Sequence, residues 1–326
     1  MKTLTLTRGD ADLLRQHIFP DDGCEAVALV LCGRRSASVE RHLVQRVVAV
    51  PYSECSERTP SRVRWSSRTL RNVLETADRS GLGVFKVHSH RNGLDGFSPT
   101  DDAADEEFFS NARAWVEHPV AHGSVVLLSD GRFFGRCVGA DGAVEPLERI
   151  MVVGDEVVIH FRDRHVPATP EALCRNAQAF GSRTVNLLKK LSVAVVGCSG
   201  TGSLVIEQLF RLGVGRLVLV EPEAIGIENL NRIPQATIRD AAAKRPKVDV
   251  IGDAIERAGL GTSVVRVREP LSTRRAVEAV AECDFAFGCM DGAEGRSVLN
   301  RLATFYLLPY LDLGVKLEAD ERTGIV

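Results

Sequence analysis

Residues 191–203 read LSVAVVGCSGTGS, a short apolar run that leads directly into three closely spaced glycines. The run has the length and valine content of a buried strand, and Gly197, Gly200 and Gly202 separate it from the helical pattern that follows. Backbone amides and the helix N-terminus in such a turn can face a phosphate group. Because Ser199 occupies the middle glycine of the dinucleotide-binding fingerprint, the turn alone is weak evidence for a nucleotide site.

Beyond this turn the sequence alternates between short apolar strands and helical stretches. The strands GRLVLVE, TSVVRVR, FAFGCMD and PYLDLGV are separated by segments such as TGSLVIEQLFRLG and RPKVDVIGDAIERAG. Strands that alternate with helices predict a mostly parallel sheet with helices on both faces. We therefore expect an α/β domain of the Rossmann-like type over residues 172–326.

Polar residues after the second of these strands indicate which nucleotide the turn binds. Glu221 ends that strand, where a carboxylate can accept a hydrogen bond from a ribose hydroxyl, and NAD and ATP fit this feature equally well. The following strings, EPEAIGIENLNR and KRPKVD, add an amide and three cationic side chains: Asn229, Arg232, Lys244 and Lys247. A nicotinamide enzyme has no need of this group, whereas a triphosphate attacked at its α-phosphate requires nearby cations. The set favours ATP.

These strings resemble the ThiF family, the adenylating domain shared with ubiquitin-activating enzymes, from about residue 172 to the end. The resemblance implies an ATP site with Mg²⁺, and Asp291 in GCMDG falls where the family has its magnesium-binding Asp. RNAQAFG resembles the family's Arg-Gln element, which makes Arg175 a candidate arginine finger supplied by the neighbouring subunit of a homodimer. The implied nucleotide ligands are Gly197, Gly200, Gly202, Glu221, Asn229, Arg232, Lys247 and Asp291.

Each of these residues also has a purely structural interpretation. Arg175 and Lys244 can be solvated helix charges, Asn229 a turn residue, and Asp291 before Gly292 ordinary turn chemistry. The sequence departs from the family pattern at four positions, which can weaken turnover: Ser199 replaces Gly, Glu221 and Glu223 replace Asp, and Gly292 replaces Asn. It also lacks paired Cys-x-x-Cys motifs and stops at GVKLEADERTGIV, where family members usually continue. We expect either a shortened chain or thioester chemistry on another protein.

The first half of the sequence predicts a mixed sheet with flanking helices. Two apolar runs between residues 24 and 50 read as paired strands, GVFKVHSH as a further strand, and the segment around Ser129-Asp130-Gly131 as a hairpin. Helices are expected over SSRTLRNVLETADRSG and TDDAADEEFFSNARAWVE.

The segment VHSHRNGLDGFSPTD contains a candidate metal site. His88 and His90 are two residues apart on a predicted strand, so both imidazoles point to one face. Ser98 suits a helix N-cap and Pro99 the first helical position, which places Asp101 in the first turn, able to reach back to the strand. Two nitrogens and one oxygen leave a fourth position open for water, as hydrolytic zinc requires. A His-x-His pair is often structural, however, and SPTD alone is a helix cap.

A carboxylate that can serve as general base, Glu25, opens the apolar strand EAVALVLCG. Together these residues resemble the JAMM motif of JAB/MPN metalloproteases, over residues 1–155. The resemblance implies a cytidine-deaminase-like fold, with His88, His90 and Asp101 as Zn²⁺ ligands, Glu25 as general base and Ser98 as oxyanion donor. Family substrates are peptide or isopeptide bonds at the C-terminus of ubiquitin-like proteins. Arg91 is a departure, since the family usually has Pro after the second His.

Size and composition limit the remaining alternatives. With 326 residues the chain suits two domains, and a polar stretch containing Pro167 and Pro170 predicts a linker over 156–171. A net charge of −2 and 6% aromatic residues provide neither the field nor the stacking surface that nucleic acid or an acidic membrane requires. No signal sequence or membrane span is apparent, and the scattered cysteines suggest reduced thiols, so we expect a cytoplasmic protein.

The two resemblances together imply a bifunctional enzyme of a prokaryotic-type ubiquitin-like or sulfur-carrier pathway. One domain would cleave after the C-terminal glycine of the ubiquitin-like protein, and the other would adenylate the exposed carboxylate. A ubiquitin-conjugating-type protein is the second candidate partner. One alternative is a deubiquitinase-like protease whose ThiF-like half only binds the partner, and another is a nicotinamide dehydrogenase with an unrelated metal domain.

Overall fold

The computed structural model describes residues 1–35, 39–91 and 93–314. The chain divides into two compact units, Met1–Arg164 and His165–Val326. Within the described ranges, no helix combines the length and the hydropathy that crossing a membrane requires.

The N-terminal unit contains a large mixed sheet, a separate hairpin and flanking helices. Its strands are β1 (Lys2–Thr7), β2 (Val27–Arg35), β3 (Glu40–Ala49), β4 (Cys55–Thr59), β5 (Arg62–Trp65), β6 (Gly83–His90), β7 (His122–Leu128), β8 (Phe133–Val138), β9 (Val144–Pro146), β10 (Arg149–Val153) and β11 (Val158–Phe161). Its α-helices are α1 (Arg8–Ile18), α2 (Ser67–Ser80) and α3 (Pro99–Trp115). The sheet order is β11-β10-β1-β3-β2-β6-β7-β8-β9, and β4 pairs with β5 separately. β1 runs parallel to β10 and β3, and β6 runs parallel to β7, which confirms the mixed sheet.

Different helices cover the two faces of this sheet. Along β2, Ala28 and Val30 belong to a core that includes α1, whereas Val27 and Leu29 belong to a core that includes α2 and α3. This alternation follows from the strand pleat, which turns successive side chains to opposite faces. In β6, Val84 belongs to the core with α2 and α3, so the even-numbered residues of that strand face these helices.

Two parts of the sheet were not indicated by the sequence patterns. The opening TLTLT forms β1, in which Thr3 and Thr5 are as deeply buried as the leucines, because β1 lies in the interior of the sheet and both of its faces are covered. β11 lies within residues 156–171, which composition predicts as a linker. This edge strand has only four residues, is half-buried and is followed directly by the polar run RDRH, which conceals its pairing with β10.

The C-terminal unit alternates helices and strands as the sequence predicts. Its helices are α4 (Cys174–Phe180), α5 (Ser182–Lys190), α6 (Gly200–Arg211), α7 (Ile238–Ala242), α8 (Lys247–Ala258), α9 (Arg274–Ala281) and α10 (Ala293–Tyr306). Its strands are β12 (Ser192–Val196), β13 (Arg216–Val220), β14 (Ser263–Val267), β15 (Phe285–Gly288) and β16 (Tyr310–Asp312). All neighbours pair in parallel in the order β14-β13-β12-β15-β16, which confirms the parallel Rossmann-like sheet. The order reverses at β12, so a crevice is expected at its carboxyl end, directly before the glycine turn.

Candidate functional sites

The structure brings His88, His90 and Asp101 together at the end of β6. His88 Nε2 lies 3.0 Å from Asp101 Oδ1, and His90 Nε2 lies 3.2 Å from Asp101 Oδ2. One ligand atom from each of these residues lies within 4.8 Å of the others. Among the described residues, this is the one group of three or more His, Cys, Asp or Glu side chains with metal-binding geometry. Two imidazole nitrogens and a carboxylate oxygen are a donor set that fits Zn²⁺.

Local structure positions each member of this cluster. The pleat of β6 turns both imidazoles toward α3, and Ser98 begins α3 with a capping box in which its Oγ accepts from the Asp101 amide at 3.2 Å. The Ser98 amide and hydroxyl both donate to Asp101 Oδ2 at 2.7 Å. His90 Nδ1 lies 2.9 Å from the Leu94 carbonyl oxygen, a contact that places the proton on Nδ1 and leaves Nε2 to bind an ion.

The electrostatics of the cluster favour an ionised carboxylate beside a neutral imidazole. Burial opposes the charge on Asp101, but hydrogen bonds from His88, His90 and Ser98 lower its pKa well below the usual range. Burial lowers the pKa of His88. For His90 burial acts in the same direction, but the contacts with Asp101 and the Leu94 carbonyl outweigh it, and its pKa is raised.

Glu25 lies in the segment before β2, close enough to interact electrostatically with His90 and Asp101. Burial, reinforced by the negative charge of Asp101 and partly offset by His90, raises the pKa of Glu25 to about 7. A carboxylate that is half ionised near neutral pH suits a general base. The predicted base Glu25, the predicted oxyanion donor Ser98 and the three predicted metal ligands thus lie in one region.

A buried ion network behind the cluster fixes the position of α3. Asp105, one turn after Asp101, pairs with Lys86 of β6 and accepts from Arg136 Nη2 of β8 at 2.7 Å. The Arg136 guanidinium also lies 3.8 Å from the centre of the Phe97 ring. Sequence reasoning did not single out these residues. Lys86 at an even position of an apolar strand is the signal that would have pointed to them, because a buried lysine requires a partner.

In the C-terminal unit, a cavity of about 520 Å³ opens at the carboxyl ends of β12 and β13. Six of the eight predicted nucleotide ligands line it: Gly197, Glu221, Asn229, Arg232, Lys247 and Asp291. Gly200 and Gly202 are not among the lining residues. A Cβ on Gly202 would approach the Gly197 carbonyl oxygen to 1.8 Å, so this glycine allows close packing of α6 against the turn.

Acidic side chains outnumber cations around this cavity. Its lining includes five carboxylates and two cations: Glu221, Glu223, Glu228, Asp291 and Glu294, against Arg232 and Lys247. Sequence reasoning missed Glu228 and Glu294, which belong to the segments around Asn229 and Asp291. Such an excess of negative charge accommodates a triphosphate only together with a divalent cation, so the lining fits Mg²⁺ with ATP.

The polar groups of the cavity are already engaged with one another. The Glu221 carboxylate accepts from the Cys198 amide at 3.0 Å and from the Glu223 amide at 3.1 Å. The buried Lys247 donates through Nζ to Glu223 Oε2 at 2.6 Å. Arg232 Nη1 donates to the Glu228 carbonyl oxygen at 2.6 Å. These contacts hold the groups in place.

Asn229 has a structural role in addition to its place in the lining. Its Oδ1 accepts from the Gly226 amide at 2.9 Å and closes the turn at Ile227–Asn229. Lys244 and Arg175 do not line the cavity of their own chain. Arg175 lies on α4, where it donates to Gln178 Oε1 at 2.9 Å.

Residues 173–318 match the model of the ThiF family. These residues form a ThiF-family domain. The match confirms the sequence-based resemblance for the C-terminal half of the chain, and the lining of the cavity belongs entirely to this ThiF domain.

Curated relatives of the ThiF domain include two bacterial enzymes. The tRNA threonylcarbamoyladenosine dehydratase of Bacillus subtilis is 40% identical over 77 residues, which cover 24% of this chain and 30% of that protein. The molybdopterin-synthase adenylyltransferase of Escherichia coli is 31% identical over 113 residues, which cover 35% of this chain and 45% of that protein. The chain therefore spans less than half the length of either relative. The solved structure of E. coli tRNA N6-threonylcarbamoyladenosine dehydratase is similar with a TM-score of 0.42 and 19% identity, over 44% of this chain and 60% of that one.

Proposed function

We propose that this protein trims a ubiquitin-like or sulfur-carrier protein after its C-terminal glycine and then adenylates the exposed carboxylate. The ThiF domain would perform the adenylation, and the cluster of His88, His90 and Asp101 would belong to the trimming site. The pairing makes chemical sense because a precursor with extra residues has no free terminal carboxylate. Carrying both activities on one chain raises the effective concentration of the trimmed product at the second site.

The acid-rich cavity beside the glycine turn is the observation that supports adenylation most strongly. It lies in a ThiF domain, and one relative is named for adenylyl transfer. Lys247 and Arg232 are the cations available to the phosphates, and Asp291 is the residue expected to hold Mg²⁺, which when bound neutralises phosphate charge. Glu221 would accept from the ribose with the lone pairs that its amide partners leave free.

In the proposed reaction, an oxygen of the partner's terminal carboxylate attacks the α-phosphorus of ATP. The bond from that phosphorus to the bridging oxygen breaks, and pyrophosphate leaves with the electron pair, which gives an acyl adenylate. Catalysis then depends on cations placed where charge develops on the phosphates. In a homodimer, Arg175 of the neighbouring subunit is the candidate for an additional cation.

The N-terminal unit supports a second activity, peptide-bond hydrolysis of the JAB/MPN type. Its donor set fits Zn²⁺, which when bound supplies Lewis acidity toward water and a carbonyl group. Glu25 would take the proton of the attacking water and return it to the leaving amine. The Ser98 hydroxyl, which donates to Asp101 Oδ2 in this structure, would turn its one proton to the oxygen on which negative charge develops.

Intact-mass analysis of candidate ubiquitin-like proteins tests both halves at once. Each is made with residues after its terminal glycine and incubated with the enzyme, Zn²⁺ and Mg-ATP. Trimming shows as loss of those residues. Adenylation shows as addition of an adenylyl group, or as partner-dependent exchange of labelled pyrophosphate into ATP. Trimming without exchange would favour the alternative in which the ThiF domain only binds the partner.

The relative that modifies tRNA defines a further arm of the experiment. The net charge of −2 provides no positive field that would attract an RNA. We therefore expect exchange to respond to the ubiquitin-like protein and not to tRNA. Exchange that depends on tRNA alone would assign the ThiF domain to RNA modification.

A further inference from the structure

Glu25 does not lie on a regular element. It is part of the irregular segment 19–26, between the end of α1 and the start of β2, and Gly23 in this segment has a φ of +73°. A general base must keep its carboxylate at a fixed place, and a segment without ladder hydrogen bonds does not provide this by itself. Contacts from elsewhere in the chain must therefore hold the segment.

Arg91 makes two of these contacts. Its Nη2 donates to the Pro20 carbonyl oxygen at 3.1 Å and to the Cys24 carbonyl oxygen at 3.2 Å. The two carbonyls stand on either side of the Gly23 turn. The Gly23 amide also donates to the Pro20 carbonyl oxygen at 3.3 Å, so Arg91 braces a turn that the main chain already closes. The guanidinium also lies 5.2 Å from the centre of the Phe19 ring.

A second arginine, on a different strand, holds the same segment. Arg58 of β4 donates through Nε to the Glu25 carbonyl oxygen at 3.2 Å and pairs with Asp22 at 2.9 Å. The Glu25 amide donates to the Thr59 carbonyl oxygen at 2.8 Å. Arg58 therefore ties the segment to the hairpin of β4 and β5, whereas Arg91 follows His90 directly and ties it to the strand that carries the imidazoles.

We propose that Arg91 is a positioning residue that couples the Glu25 segment to the metal-ligand strand. It stands where JAB/MPN proteases usually have Pro, which has no side-chain donor, so the coupling is a feature of this chain. The inference rests on the proposed peptidase activity for its catalytic meaning. The expected release of residues 20–25 on removal of the guanidinium does not depend on any substrate.

Amide hydrogen exchange on the full-length, Zn²⁺-loaded protein tests the coupling. Arg91→Ala should accelerate exchange in residues 21–25 by about tenfold, since it removes two hydrogen bonds to this turn. Arg91→Lys should restore much of the protection, because a single nitrogen serves both carbonyls. Arg64→Ala removes an exposed arginine of β5 that pairs only loosely with Glu57, at 3.6 Å, and serves as the control.

The same variants separate positioning from metal binding. Bound zinc should remain at the wild-type level in Arg91→Ala, while kcat for trimming falls about tenfold or more with little change in KM. Unchanged exchange in residues 21–25 would overturn the proposal. Loss of zinc would also overturn it, since Arg91 would then support the ligands. If the wild type trims no substrate, the proposed function fails, and the exchange result still decides whether the coupling exists.

Discussion

The two candidate sites differ in how they are assembled along the chain. The metal cluster comes from one strand end and the first turn of the next helix, over residues 88–101, and its geometry follows from the pleat and a capping box. The nucleotide cavity draws on segments spread from Val196 to Val298, and its cations are held by neighbouring acceptors. Residues close in sequence are enough to form the metal cluster, whereas the nucleotide cavity depends on the topology of the whole C-terminal sheet.

The largest expected effect follows from the compactness of the metal cluster. Asp101→Ala removes the carboxylate that is the only oxygen donor of the cluster and that lies within hydrogen-bond distance of both imidazoles. Zinc binding and trimming should therefore be lost completely. The nucleotide cavity lies in the other unit, and ATP binding should persist. Metal analysis and ATP titration of the purified chain provide the two measurements.

The neighbouring acidic residue provides the control for this prediction. Asp102→Asn changes an exposed carboxylate that pairs with Arg136 and contributes no atom to the cluster. Zinc content should stay at the wild-type level. Equal zinc in the wild type and Asp101→Ala would contradict the ligand assignment.

A smaller but still large effect is expected from Lys247 in the nucleotide cavity. Lys247→Ala should reduce pyrophosphate exchange by about 10²–10³-fold, the range found on removal of one group that stabilises charge in a transition state. Lys244→Asn is the matched control, since Lys244 is exposed, lies outside the lining and has a φ of +47° that Asn tolerates. If both variants retain full exchange, the triphosphate binds elsewhere.

The sequence predicted the metal cluster better than the nucleotide cavity, for a physical reason. A two-residue spacing on a strand and a Ser-Pro cap each have one geometric consequence, so His88, His90 and Asp101 could be placed together without knowledge of the rest of the sheet. The glycine turn has several uses. Gly202 allows α6 to pack closely against the turn, whereas Gly197 lines the cavity. Only the three-dimensional structure distinguishes these two roles.

Long-range contacts account for what sequence reasoning missed in both units. The sequence patterns do not indicate β1, because its threonines conceal its burial in the interior of the sheet. Arg91 could be recognised as unusual from the sequence, but its acceptors lie about 70 residues away, on the carbonyls of Pro20 and Cys24. Every residue has a main-chain carbonyl that can accept a hydrogen bond, so residue identities do not reveal which carbonyls are used.

The packing role of Gly202 gives a prediction of intermediate size. In Gly202→Ala the new methyl group meets main-chain atoms of Gly197 and cannot be accommodated by a rotamer change, so the ThiF domain should lose about 1–3 kcal/mol of unfolding free energy. Gly292→Ala is the control, because no atom lies within 4 Å of a Cβ at that position. Denaturant unfolding of both variants provides the comparison, and equal midpoints would contradict the packing role.

The smallest expected effect concerns pH and should distinguish the two sites. Glu25 acts as a base only when ionised, and its raised pKa of about 7 means that trimming should slow as the pH falls, by up to about tenfold per unit well below the inflection. A bound cation favours the carboxylate form, so the inflection is expected at or below about pH 7. Pyrophosphate exchange does not involve Glu25, and its pH profile should be identical in the wild type and Glu25→Gln. Trimming with a flat profile from pH 5 to 8, or trimming retained in Glu25→Gln, would remove Glu25 from the base role and leave the metal cluster without an identified proton acceptor.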